Sequence, residues 1–339
     1  MIVTVTLNPA LDKTIQVENF RISEVNRVIS VREDAGGKGI NVSNLIHSLG
    51  GDTIATGAVA GPVGDFIEKQ LTKLGTPHDF VHTEGNTRTN TKVVDIALKT
   101  YTDINEPGAP LSEEVLKQIE EKIFKYATED GIVVFSGSIP KNVGKDIYGR
   151  WIEKVKAKGI KTILDADGEL LRKGIEAGPY LIKPNVHELE MLYDKKFETM
   201  EEAIQFAKGL LKYGIEIIAL SMGGDGCAFI TKDKTYFAKA IPVEVKSTVG
   251  AGDSMVAALA YAIQKNTPLE ESIKLAVAAA TASITNEGTQ MGSKEQIEFF
   301  KDKVEFELLE YYNLLGYNTS NFNRKLLRIN PRLNKEVDL

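Results

Sequence analysis

Gly131-Ile-Val-Val-Phe-Ser136 is a short apolar and β-branched run, and Gly137-Ser138 follows it at once. A helical pattern over residues 143–158 comes next, and another, over 112–127, precedes it. The unit recurs downstream: 162–165 reads as a strand, 170–177 as a helix, 180–183 as a strand, 200–213 as a helix and 215–222 as a strand. Strands alternating with helices in this way predict an α/β fold with a mostly parallel central sheet and helices on both faces. Ligands of such sheets bind beyond the carboxyl ends of the strands. The unusual residues gather at those ends: Ser136-Gly-Ser138, Asp165, Lys183-Pro-Asn185 and Ser221-Met-Gly-Gly224 each follow a strand directly.

Ser247-Thr-Val-Gly-Ala-Gly-Asp-Ser254 lies between a strand-like run, 236–245, and a small-residue helix expected to begin near Ser254. Gly250, Ala251 and Gly252 let the backbone approach a ligand closely. The free amides at a helix start favour an anion. Asp253 is then placed to take a proton from an attacking hydroxyl while those amides hold phosphoryl oxygens. The plainer reading is a glycine turn with Asp253 as a helix cap.

The N-terminal third looks different. Residues 2–7 read as a buried strand, but 14–17, 28–33 and 92–96 alternate apolar and polar residues, as strands with one solvated face do. These predict a small separate sheet. Between them Asp34-Ala-Gly-Gly-Lys-Gly-Ile-Asn41 opens an amphipathic helix, with Lys38 to reach a phosphate and Asn41 to bond a hydroxyl, or else it is a simple connection. It is not a Walker P-loop, and no GxGxxG of a dinucleotide fold occurs, which removes a nicotinamide-dependent dehydrogenase. Asp12 follows the first strand, where a carboxylate either accepts bonds from two adjacent hydroxyls or is an exposed turn acid. Arg88, Asn90 and Lys92 alternate in Thr87-Arg-Thr-Asn-Thr-Lys92 and so share one strand face, suited to a phosphate monoester or to solvent. Asn185 and Glu188, three apart at a helix start, suit either Mg²⁺ or a capping box. Ser221-Met-Gly-Gly-Asp-Gly226 and residues 246–248 read as a nucleotide shelf or, for Gly223–Gly226, as a hairpin turn.

A net charge of −6, with both signs interspersed, argues against nucleic acid as a partner. The single cysteine, Cys227, reads as a small core residue, and the four histidines lack metal-ligand spacing. No apolar stretch is long enough to span a bilayer, and the first residues do not read as a signal peptide, so a cytoplasmic protein is expected.

Together these residues resemble the ribokinase-like (PfkB-type) sugar kinase family over nearly the whole chain. Its two signature regions match Gly36-Gly-Lys-Gly-Ile-Asn41 and Val249-Gly-Ala-Gly-Asp-Ser254 in order and separation, and its Asn-x-x-Glu motif matches Asn185 and Glu188. Thr6-Leu-Asn-Pro-Ala-Leu-Asp12, Thr87–Lys92, Thr102-Asp-Ile-Asn-Glu-Pro-Gly108 and Ser136-Gly-Ser-Ile-Pro140 are most similar to members that make fructose 1,6-bisphosphate from fructose 1-phosphate and ATP. Members acting on tagatose 6-phosphate or fructose 6-phosphate remain open, as does a sugar-phosphate sensor that does not turn over.

The resemblance implies a kinase domain over residues 1–310, with a β-sheet lid from about 12–34 and 87–106, and a peripheral tail over 311–339. It makes Asp253 the base and Gly250, Ala251 and Gly252 the anion hole. Asp12, Gly37 and Asn41 would hold sugar hydroxyls. Lys38, Arg88 and Lys92, with Asn90 and Ser138 beside them, would take the phosphate already on the sugar. Lys183, Asn185, Ser221, Gly223, Gly226 and Thr248 would line ATP, and Asn185 and Glu188 would organise Mg²⁺. It also implies a homodimer formed through the lid.

Overall fold

A computed structural model of the chain describes residues 1–309 apart from Thr289, so the expected tail over 311–339 lies outside the described residues. The elements run β1 (Ile2–Thr6), β2 (Ala10–Val17), β3 (Ser30–Gly36), α1 (Lys38–Ser48), β4 (Thr53–Val59), α2 (Gly61–Leu74), β5 (Val81–His82), β6 (Arg88–Asp95) and β7 (Thr100–Asn105). There follow α3 (Glu113–Tyr126), β8 (Ile132–Ser136), α4 (Ile147–Lys156), β9 (Lys161–Asp165), α5 (Gly168–Glu176), β10 (Leu181–Ile182), α6 (Val186–Tyr193), α7 (Met200–Gly209) and β11 (Ile217–Ser221). The rest is β12 (Gly226–Ile230), β13 (Thr235–Lys239), α8 (Ala251–Gln264), α9 (Leu269–Ile284), α10 (Lys294–Lys301) and β14 (Phe306–Leu308).

The main sheet has the order β14-β13-β12-β11-β10-β9-β8-β1-β4-β5. From β11 to β5 neighbouring strands are parallel, while β12, β13 and β14 are added antiparallel at one edge. The alternation of side chains along each strand divides the core in two, as period-two geometry requires. Val3, Val5, Val133 and Phe135 face one helical layer with Ile119, Tyr148 and Trp151. Ile2, Ile132 and Val134 face the other, with Val42, Leu45, Val256 and Ala276. Trp151 is 2% exposed, lies 6.1 Å from the Phe135 ring and donates through Nε1 to Glu120 at 2.9 Å. Cys227 is buried in the second layer, as expected for a small core residue.

Local chemistry sets the helix ends. The Ser112 side chain accepts from Val115 N at 3.2 Å, and Glu113 and Glu114 occupy the first turn of α3, where the dipole favours acids. Two expectations need correction. The strand read over 236–245 is β13 alone, ending at Lys239, since Pro242 lacks the N–H a strand interior needs. The helix expected near Ser254 begins at Ala251, because Gly250 itself turns the chain into it.

A second sheet, ordered β3-β2-β6-β7, stands apart from the first. Its polar side chains share one face by register: Asp34, Asp12, Asn90 and Asn105 align across it, and Arg32, Thr14, Lys92 and Asp103 form the next row. The other parity is mixed: Leu11, Ile15, Val31, Val93 and Ile104 stand beside Thr91, Thr102 and the Lys13–Glu33 ion pair. Arg88 and Arg32 reach from the polar face to Ser138 and Glu287, so that face covers the strand ends of the main sheet. Among the described residues, no helix is long and apolar enough to cross a membrane.

Candidate active site

Asp165 closes β9 and is fully buried. Its Oδ1 accepts from Lys38 Nζ at 3.1 Å and lies 3.4 Å from Lys183 Nζ. Lys38 opens α1, while Lys183 directly follows β10 and is 5% exposed. Burial works to raise the Asp165 carboxyl, but the Lys183 and Lys38 ammonium groups outweigh it and hold it below the usual carboxylate range. Desolvation likewise works to lower Lys38, but Asp165, Asp253 and Glu188 hold it above its ordinary value. Lys38 is therefore a fixed cation.

Gly250 adopts φ 85°, a left-handed conformation natural to glycine, and turns the chain into α8. The first helical bond runs from Ser254 N to Gly250 O at 2.8 Å. The amides of Ala251, Gly252 and Asp253 thus have no intrahelical acceptor, and no side chain caps them. Asp253 is buried in this first turn, and its Oδ2 accepts from Asn41 Nδ2 at 2.8 Å. Burial pushes its carboxyl up to about 6, against the pull of Lys38 and the Asn41 bond. A Cβ at position 252 would stand 3.1 Å from Lys183 Nζ, so the buried ion group and the helix start adjoin. The arrangement joins a buried carboxyl raised to about 6 to three amides without intrahelical acceptors and a cation.

On the lid, Asn90 Nδ2 donates to Asp12 Oδ1 at 3.0 Å. A Cβ at Gly36 would fall 2.1 Å from Asp12 Oδ2, so only glycine leaves room for that carboxylate. Burial raises the Asp12 carboxyl despite Asn90 and Arg88. Arg88 donates through Nη2 to Ser138 Oγ at 3.5 Å and through Nη1 to the Glu106 carbonyl at 3.2 Å. Arg88 Nε and Asn90 Oδ1 are buried without a hydrogen-bonding partner among the described residues. Such groups are costly unless something binds them.

Of Lys38, Arg88 and Lys92, expected together around one phosphate, Lys38 runs beside Gly137, next to the Ser138 that Arg88 reaches. Lys38 belongs to the Asp165–Asp253 group, whereas Lys92 lies 3.6 Å from Asp103 and 4.9 Å over the Tyr101 ring, within the lid. Sequence reasoning also missed Asn8, whose Nδ2 is 3.3 Å from both the Pro107 carbonyl and Ser138 Oγ. Its signal lay in the quoted Thr6–Asp12 stretch, but its partners are about a hundred residues distant. Asp165 was noticed at its strand end without a role.

Asn185 and Glu188 form the capping box: Glu188 N donates to Asn185 Oδ1 at 2.7 Å, and Asn185 N to Glu188 Oε2 at 2.8 Å. Burial holds the Glu188 carboxyl above its usual range. Asp165 Oδ2 is buried and unpartnered among the described residues. The buried Glu188 carboxyl and the unpartnered Asp165 oxygen are hard oxygen donors of the kind that fits Mg²⁺. Gly223–Asp225 make a tight turn between the antiparallel β11 and β12, so the hairpin is real, and it sets Ser221 and Gly226 at its two ends. Ser221 pairs with Asn185 through an isolated bridge, and Thr248 is exposed ahead of the Gly250 turn.

A three-layered α/β fold with a second small sheet, and free helix-start amides beside a buried carboxyl, suit a phosphotransferase of the carbohydrate kinase class. Residues 5–296 match the pfkB family carbohydrate kinase pattern, and the chain belongs to that family. It is 37% identical over 284 residues to a 1-phosphofructokinase of Borreliella burgdorferi, covering 84% of this chain and 91% of the relative. It is 37% identical over 300 residues to the 1-phosphofructokinase of Bacillus subtilis, covering 88% and 96%. Among solved structures, phosphofructokinase-2 from Escherichia coli in complex with fructose-6-phosphate superposes with a TM-score of 0.83 at 28% identity, over 89% of this chain and 98% of that one. That enzyme also has a tetrameric inhibited form.

Proposed function

We propose that this chain transfers the terminal phosphoryl group of ATP to the free primary hydroxyl of fructose 1-phosphate, giving fructose 1,6-bisphosphate and ADP. The observation that carries the chemistry is Asp253, buried with a carboxyl near 6 beneath the amides of Ala251, Gly252 and its own N–H. Asp253 takes the hydroxyl proton as the new O–P bond forms and the bond to ADP breaks. Asn41 holds the carboxylate in line, and the amides with Lys38 offset the charge that develops on the phosphoryl oxygens. Asp12, Asn90 and the Gly37 backbone hold sugar hydroxyls.

Arg88 and Ser138, with Asn8 orienting Ser138 and Lys92 further out, take the phosphate already on the sugar. The nucleotide lies along Lys183, Asn185, Ser221, Gly223, Gly226 and Thr248. Mg²⁺ bound with ATP neutralises phosphate charge; Glu188 and Asp165 would hold it, with Asn185 fixing Glu188. The name borne by the relatives at 37% identity supports fructose 1-phosphate as the acceptor. The structural likeness to an enzyme bound to fructose-6-phosphate favours fructose 6-phosphate as the second reading.

The exposed apolar residues Ile22, Val25, Val31 and Ile104 on the lid support a second copy of this chain as its partner there. A single buried thiol fits a reducing cytoplasm. Turnover with ATP and Mg²⁺ on fructose 1-phosphate, fructose 6-phosphate and tagatose 6-phosphate side by side tests the reading. The expected result is a kcat/KM highest for fructose 1-phosphate. A higher value for either 6-phosphate overturns the acceptor, and no turnover on any returns the sensor.

A further inference from the structure

Arg32 stands on the polar face of β3, and one guanidinium spans the two halves of the site. Its Nε donates to Asp34 Oδ2 at 2.8 Å, and its Nη2 donates to the Glu287 carbonyl at 3.0 Å. Asp34 pairs in register with Asp12, the carboxylate that faces Asn90. Glu287 lies just past α9, in a segment tied to the loop that enters the Gly250 turn: Lys246 N donates to Ile284 O at 2.9 Å. Gly288 has φ 61°, and a Cβ there would fall 1.4 Å from Arg32 Nη2, so the guanidinium fills the place of a side chain. The lid is thereby joined to the nucleotide half by a fork that needs both an arginine and a glycine.

We propose that Arg32 is a positioning residue that couples the binding of the two substrates. A sugar phosphate gathered under the lid fixes Asp12 and Asp34, which sets Arg32 onto the Glu287 carbonyl. A nucleotide beside the loop that enters the Gly250 turn, to which the end of α9 is tied through Lys246, holds that carbonyl for Arg32 in return. Such coupling is reciprocal by linkage. Lysine at position 32 keeps the charge but not the fork that serves a carboxylate and a carbonyl at once. The inference rests on the kinase reading above.

The test is calorimetric titration of the full chain with fructose 1-phosphate, alone and with a saturating non-hydrolysable ATP analogue and Mg²⁺. In the wild type the analogue tightens sugar-phosphate binding about tenfold, within the usual range of such couplings. In Arg32→Ala, Arg32→Lys and Gly288→Ala the factor falls to within about twofold of unity. Affinity for each ligand alone stays within about threefold in Arg32→Ala, because the Arg32 donors serve Asp34 and the Glu287 carbonyl. Arg32→Ala keeping the wild-type factor overturns the inference, as does a wild type that binds both ligands independently. A wild type that binds neither ligand overturns the kinase reading first, and the coupling with it.

Discussion

Asp165, Lys183 and Asp253 are buried together, with Lys38 closing the group from its rim, whereas Asp12, Arg88 and Lys92 stand half-buried on the separate small sheet. In the first region charges are paired within the chain: one carboxylate holds two ammonium groups and the second is held near neutrality. In the second region Asp12 faces Asp34 in register, and Arg88 Nε and Asn90 Oδ1 lack partners among the described residues. A preorganised, desolvated cluster is suited to a reaction in which charge shifts during transfer. A surface with unmet hydrogen-bonding capacity is suited to a ligand that arrives already charged. On the proposed reading, chemistry and recognition fall to parts that differ in burial and in charge pairing.

The sharpest way to break this division is Asp253→Ala. It is expected to lower kcat by about a thousandfold or more while sugar-phosphate affinity stays within about tenfold, as steady-state kinetics and calorimetry together read. The wild type carries a matching pH signature. Below about pH 6 the carboxyl is protonated and can no longer accept, so kcat/KM falls tenfold per unit as pH drops and is level above. A profile that stays flat to pH 5 contradicts the assignment of the base.

Asp165→Asn comes next and is read in stability. Its carboxyl is held below the usual range by Lys183 and Lys38, so removing the charge leaves the buried Lys183 and the rim Lys38 without their shared carboxylate. Thermal and denaturant unfolding are expected to show a loss of about 3 kcal/mol, the scale of breaking a buried ion pair. A melting temperature equal to the wild type's would mean the group is more hydrated than its burial implies. The smallest effect belongs to Lys92→Ala. With Lys92 already beside Asp103 and Tyr101, the KM for the sugar phosphate is expected to rise about threefold to tenfold, kcat and stability changing little. An unchanged KM would confine its charge to the lid.

The layers of the fold were legible because they rest on local periodicity. Apolar runs such as 132–136 and helix patterns such as 112–127 report their own environment. The placement of Asp253 was legible too, since a glycine turn and a helix start are local events. What sequence could not give was partnership at long range. The carboxylate that pairs with Lys38 lies 127 residues further on, and Arg32, unnoticed, meets a carbonyl 255 residues away. The run after Lys239 misled for a physical reason: its β-branched residues fit a strand, but Pro242 cannot serve one.

Trp151 has a practical consequence. It is the single tryptophan of the chain, and its indole sits between helices against Phe135, bonded to Glu120 and screened from solvent. Its emission will be blue-shifted in the folded protein and will move to the red when the core opens. Because α4 is not part of the lid, that optical signal reads melting alone, and sugar binding must be followed by another probe.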